Sequence, residues 1–182
     1  MLYFPVYALY HYFPEIAWIR TLLTAVLLFG GISGILILHK KRKIVKRHPG
    51  WWIALWVYTI FILYITVLGR YSFEDFRARL IPFESYREVF AGSSSELRGI
   101  VLNVVLFVPF GFLTACCFQD KKPVWIALCA GLILTVSVEV LQYLTRTGTL
   151  ETDDVMHNML GTVLGVLIWY VLNKLINRKR CT

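Results

Sequence analysis

The chain has 182 residues, is 58% hydrophobic with a mean hydropathy of +0.64, and carries only 16% charged residues. A soluble domain of this size would have roughly a quarter charged residues and about half apolar, so the composition excludes an appreciable soluble domain and predicts one compact, all-α membrane bundle. The net charge of +8 does not point to nucleic acid, because the cations fall in two short blocks beside apolar runs: Lys40, Lys41, Arg42, Lys43, Lys46 and Arg47, then Lys174, Arg178, Lys179 and Arg180. Such blocks are the signature of cytoplasmic loops and of attraction to anionic headgroups.

Along the chain, "MLYFPVYALYHYFPE" lacks a positive n-region and a small-residue cleavage site, so it does not read as a removable signal peptide. A hydrocarbon core about 30 Å thick needs about 20 apolar residues per helix. Five stretches qualify, at about 17–38, 51–69, 99–119, 124–144 and 154–173. The expected organisation is a first transmembrane helix and basic cytoplasmic loop over 1–50, then a membrane domain over 51–182. Placing the 39–50 loop in the cytoplasm puts 12 of the 19 Lys and Arg on that side, which predicts the N-terminus outside and the C-terminus cytoplasmic.

The segment 70–98, on the outer side, balances five acids with five bases. Its "ARLIPFESYREVF" reads equally as an amphipathic piece lying on the membrane surface and as an ordinary connector. Pro109 in "LFVPFG" removes a helix hydrogen bond from the third span and predicts a kink. Cys116, Cys117, Cys129 and Cys181 follow no disulfide or zinc spacing and read as small hydrophobes.

Polar residues inside the spans carry the functional signal. Glu139 lies about five residues from the outer end of span four, roughly 7 Å deep at 1.5 Å per residue. Gln142 and Tyr143 share its helix face. Asn103 and Asn158 each lie about four residues into spans three and five from the same side, so three spans place a polar group at one depth. In "ETDDVMHNMLG" (151–161), Asp153 and His157, and likewise Asp154 and Asn158, stand four residues apart. Ionisable groups in hydrocarbon are expensive and are functional candidates with partners at their own depth. The alternatives are structural. Asp153 or Asp154 also suits a helix cap, His157 an interfacial position, Asn103 and Asn158 helix–helix hydrogen bonds, and Glu139 a hydrogen-bonding role. Below the cluster, Gly161 and Gly165 in "GTVLG" form a small-xxx-small pattern that draws another helix close.

Four stretches together resemble the VanZ-like family of bacterial membrane proteins: "RLIPFESY" (79–86), "NVVLFVPFGF" (103–112), "SVEVLQYLTRTG" (137–148) and "ETDDVMHNMLGTVLG" (151–165). The resemblance covers about 79–173, and many members carry Asp where Glu151 stands. It implies several antiparallel membrane helices, a place in the bacterial cytoplasmic membrane and a link to resistance to glycopeptide antibiotics, teicoplanin above all.

Two functions fit the residues. The first is an enzyme acting on lipid headgroups or lipid-linked wall precursors at the outer leaflet. In it Glu139, Asp154 and His157 carry the acid–base chemistry, and Asn103, Gln142, Arg146, Asp153 and Asn158 bind substrate. The second is a non-enzymatic protein that binds a lipid or an antibiotic in the same polar pocket. No cofactor or metal is expected, the partners are membrane lipids or a lipid-linked precursor rather than nucleic acid, and the sequence names no protein partner. A proton-coupled transporter is disfavoured, because the inner halves of the spans hold no acid.

Overall fold

The computed structural model describes residues 14–40, 49–70, 75–119 and 122–179, with side chains from 21 to 177. The N-terminal aromatic stretch, the basic block from Lys41 to Arg47, residues 71–74 and 120–121, the side chains of Arg178 and Lys179, and Arg180 and Cys181 lie outside the described residues.

Proline opens three helices, where its missing amide costs no hydrogen bond and its fixed φ suits the first turn. These are α1 (Pro14–Lys40), α2 (Pro49–Leu63) and α5 (Pro123–Thr145). A π-turn (Tyr64–Leu68) continues α2. A short strand β1 (Arg77–Arg79), a helix α3 (Glu84–Phe90) and a long helix α4 (Ser94–Cys117) follow. The last elements are β2 (Thr149–Glu151), which pairs with β1 in a two-stranded sheet, and α6 (Thr152–Lys179). Ser93 caps α4 by accepting the Glu96 amide at 3.4 Å, the start of a Ser-x-x-Glu capping pattern. Among the described residues five helices are long and apolar enough to cross a membrane: Thr21–Lys40, Pro49–Leu68, Ser94–Cys117, Pro123–Thr145 and Thr152–Asn177. Their outward faces are apolar too, with Phe29, Ile133 and Leu167 all exposed. A helix apolar on all sides belongs in a core or in hydrocarbon. The small sheet is the one regular element that the all-α expectation did not include.

The chain divides into two compact units, Met1–Ala78 with Val140–Thr149, and Arg79–Glu139 with Leu150–Thr182. In the first, Gly31 lies so close to the Trp56 indole that any side chain there would overlap it. The indole N–H donates to the Leu27 carbonyl at 3.1 Å, tying α1 to α2. The end of α5 closes in the same unit: Thr147 N donates to the Gln142 carbonyl at 2.9 Å and Arg146 N to the Tyr143 carbonyl at 3.1 Å. Arg146 takes the left-handed conformation (φ 57°) that this Schellman-type ending requires.

In the second unit α4, α5 and α6 meet on small residues. A Cβ at Gly161 would strike the Val104 carbonyl oxygen, one at Gly165 the Val108 carbonyl oxygen, and one at Gly111 the Thr162 carbonyl oxygen. The glycine pattern in α6 therefore has α4 as its partner. Gly131 on α5 faces the Thr162 side chain, with Thr162 Oγ1 2.7 Å from where a Cβ would stand. Thr162, fully buried, thus sits where all three helices converge. Phe107, Ala115, Cys116 and Trp169 fill the core around this seam.

Candidate functional site

Three residues spaced four apart along α5, Gly131, Thr135 and Glu139, put one small or polar face against α6. Gly131 meets Thr162, Thr135 meets Asn158, and Glu139 meets the entry to α6 at Glu151. The pairing places a line of polar groups between helices that are otherwise apolar, and each needs a partner because hydrocarbon supplies none.

Most of that need is met. Asn158 Nδ2 donates to Thr135 Oγ1 at 2.8 Å, and Thr162 Oγ1 donates to the Asn158 carbonyl at 3.0 Å. Glu139, 2% exposed, accepts the Glu151 amide on Oε2 at 3.0 Å. Asp153 is buried and accepts two backbone amides, Phe83 N–H on Oδ1 at 2.6 Å and Ser85 N–H on Oδ2 at 2.9 Å. The cap anticipated for Asp153 is thus spent on α3 rather than on its own helix. Phe83 holds φ at 68°, a left-handed backbone that costs a non-glycine residue on the order of 1–2 kcal/mol. The charge-assisted bonds from Asp153 offset that strain.

His157 is 1% exposed. Its Nε2 lies 2.9 Å from the Tyr86 hydroxyl and its Nδ1 3.9 Å from Asp154 Oδ1. The Tyr86 and His157 rings pack with centroids 5.4 Å apart. Two buried atoms have no hydrogen-bond partner among the described residues, His157 Nδ1 and Asn158 Oδ1. Buried polar atoms are nearly always satisfied, which sets these two adjacent residues apart from the rest of the cluster.

Around the mouth of α6, Arg79 pairs with Glu88 at 3.4 Å and Glu96 at 3.6 Å. Glu151 is also within electrostatic reach of Arg79. Burial and the neighbouring Asp154 charge push the Glu151 carboxyl up to about 7, against the pull of Arg79.

The structure thus brings Glu139, Asp153, Asp154, His157 and Asn158 into one unit, joined by bonds that run from α3 through α6 to α5. Asn103, in the same unit, is half-buried. Gln142 and Arg146 belong to the other unit and are engaged there. Gln142 Nε2 donates to the Thr66 carbonyl at 3.0 Å, one of the orphan acceptors at the end of a helix, and Arg146 stacks its guanidinium 4.2 Å from the Phe76 ring centre. Among the described residues no group of three or more His, Cys, Asp or Glu is arranged to hold a metal ion. An open apolar groove of about 690 Å³ lies elsewhere on the second unit, lined by Trp125, Ile126, Cys129 and Ile133 among others, and touches none of these polar groups.

Sequence reasoning missed Tyr86 and Thr135. Thr135 was detectable as the residue one helical turn before Glu139. Tyr86 offered only its place at the end of "RLIPFESY", because nothing local predicts that it reaches His157, 71 residues away.

The VanZ/LLP1 family model matches residues 51–173. The chain is similar to the Protein VanZ of Enterococcus faecium, 25% identical over 130 residues that cover 69% of this chain and 72% of that one. No solved structure matches. The matched segment takes in α2 to α6 with all the polar groups above, and the chain belongs to the VanZ/LLP1 family.

Proposed function

We propose that the protein is a multi-pass protein of the bacterial cytoplasmic membrane that acts on lipid headgroups or lipid-linked wall precursors at the outer leaflet, and through them bears on resistance to teicoplanin-type glycopeptides. The N-terminus is outside and the C-terminus cytoplasmic, in keeping with the Lys and Arg bias. The observation that carries the reading is the pair of orphaned buried atoms, His157 Nδ1 and Asn158 Oδ1, set among apolar helices beside Asp154 and one turn from the mouth of α6. His157 is the acid–base group with Asp154 acting through its ring, Asn158 accepts a substrate hydroxyl on Oδ1, Asn103 binds the same headgroup, and Glu139 acts from the α5 side. Asp153 serves by holding the 83–85 backbone in place.

The alternative is a binding protein without chemistry, which the engagement of Glu139 and Asp153 with backbone amides favours. Lipid and wall-precursor extracts from cells with and without the protein separate the two. A changed headgroup or precursor profile is expected for the enzyme, and an unchanged profile leaves the binding reading. Glu139→Gln retains an acceptor for the Glu151 amide but loses the acid. Full activity in a normally assembled variant would remove Glu139 from the chemistry.

A further inference from the structure

Tyr86 joins the buried site to the surface. Asp154 Oδ1, 3.9 Å from His157 Nδ1, is too far for a hydrogen bond, but its charge favours the ring proton on that nitrogen, and in that tautomer Nε2 accepts from the Tyr86 hydroxyl 2.9 Å away. Asp154, His157 and Tyr86 thus form a line that starts at a carboxylate, passes through a fully buried ring and ends on a phenol that is 36% exposed.

The surface around that phenol is apolar. Phe90, four residues later on the same face of α3, and Phe83, just before the helix, are 90% and 56% exposed. Phe83 packs against Tyr86 with ring centroids 6.0 Å apart. Ser85 and Glu88 take the opposite, less exposed side, where Glu88 meets Arg79. A polar solute gains nothing from such a stripe. An amphiphile gains on both counts, its chains lying along Phe83 and Phe90 and its headgroup reaching the Tyr86 hydroxyl.

We propose that Tyr86 is the substrate-contacting acid–base group, with His157 as its proton partner and Asp154 as the positioning residue, and that it acts on a headgroup hydroxyl of a membrane amphiphile. The inference rests on the enzymatic reading above. In the step, the headgroup hydroxyl oxygen attacks the phosphorus of a second lipid's phosphodiester and gives its proton to Tyr86 Oη as the Tyr86 proton passes to His157 Nε2; the new O–P bond forms as the P–O bond to the departing alcohol breaks. The imidazolium so formed is balanced by Asp154, and the proton returns along the same path to the leaving group.

The test uses the full-length protein in phosphatidylglycerol vesicles, with and without an added lipid-linked wall precursor, and mass spectrometry identifies which hydroxyl-bearing lipid changes. Tyr86→Phe and His157→Gln are expected to lower the rate on that lipid about 100-fold or more. Fluorination of the Tyr86 ring, which makes the phenol more acidic while leaving the packing in place, is expected to move the pH–rate profile to lower pH. A purely structural tyrosine would not move it. Should Tyr86→Phe fold poorly, the fluorinated protein decides, and an unmoved profile overturns the relay. A wild-type protein that acts while Tyr86→Phe keeps about half its rate or more overturns the relay alone. A wild-type protein that changes neither lipid overturns the relay and the enzymatic reading together.

Discussion

The two ends of α6 solve opposite problems. Its lower stretch, around Gly161 and Gly165, brings backbone against backbone of α4, with no room for a methyl group. Its first two turns hold two acids, a histidine and an asparagine, joined to α3 and α5 by side-chain hydrogen bonds of 2.6 to 2.9 Å. In hydrocarbon no hydrophobic force draws one helix to another, so close packing of small residues and buried hydrogen bonds are the available forms of attraction. Here they are separated along one helix. The glycine seam leaves no space for a Cβ, whereas the polar end leaves two buried atoms unmatched among the described residues. The seam joins two backbones directly, and the polar end joins three helices through side chains.

That contrast makes the seam the more fragile place. Gly165→Leu forces α4 and α6 apart against the Val108 carbonyl and the Phe112 amide. The expected loss is about 3 kcal/mol or more, read as a lower thermal midpoint of the detergent-solubilised protein. A variant as stable as the wild type would mean that α4 and α6 do not meet at Gly165.

A smaller effect separates the two adjacent acids of the polar end. Asp153→Asn keeps one acceptor for two amides and turns a donor toward the other. It should cost about 2 kcal/mol, because a buried amide at Phe83 or Ser85 is then left unpaired. Asp154→Asn, at a position that is 30% exposed, should leave the melt nearly unchanged and lower activity instead. Equal losses of stability in the two variants would mean that Asp154 is also a structural residue.

The smallest effect is in pH. The Glu151 carboxyl lies at about 7 in the folded protein against an ordinary 4.5, because burial and Asp154 disfavour its charge. The folded state therefore holds the proton more tightly than the unfolded chain. The stability it contributes is full below about 4.5, declines as pH rises, and is gone once pH passes about 7. Thermal midpoints measured from pH 5 to 8 should fall less steeply in Glu151→Gln than in the wild type. Parallel curves would place the titrating group elsewhere.

Much of the helical frame was legible because hydrocarbon length is a one-dimensional constraint. Expected spans such as 51–69 and 124–144 lie within two residues of helices that run Pro49–Leu68 and Pro123–Thr145. The polar cluster was legible for a related reason, since Glu139 and His157 stand out against apolar neighbours wherever they point. Equal depth did not disclose partners, however. Glu139 and Gln142 share a helix face by spacing, yet Glu139 accepts the Glu151 amide and Gln142 serves the Thr66 carbonyl. Arg146, expected to bind substrate, lies against Phe76 with its backbone closing α5.

The sequence by itself determined which segments are apolar enough to span, which glycines permit close approach, and which ionisable groups sit among apolar neighbours. Each of these follows from composition and from a 3.6-residue period. Only the tertiary structure decided that Asp153 caps α3 from 70 residues away in the chain, that Thr135 answers Asn158, and that Tyr86 stands over His157. A hydrogen bond depends on the last ångström of helix register and rotation, which no local stretch of sequence sets.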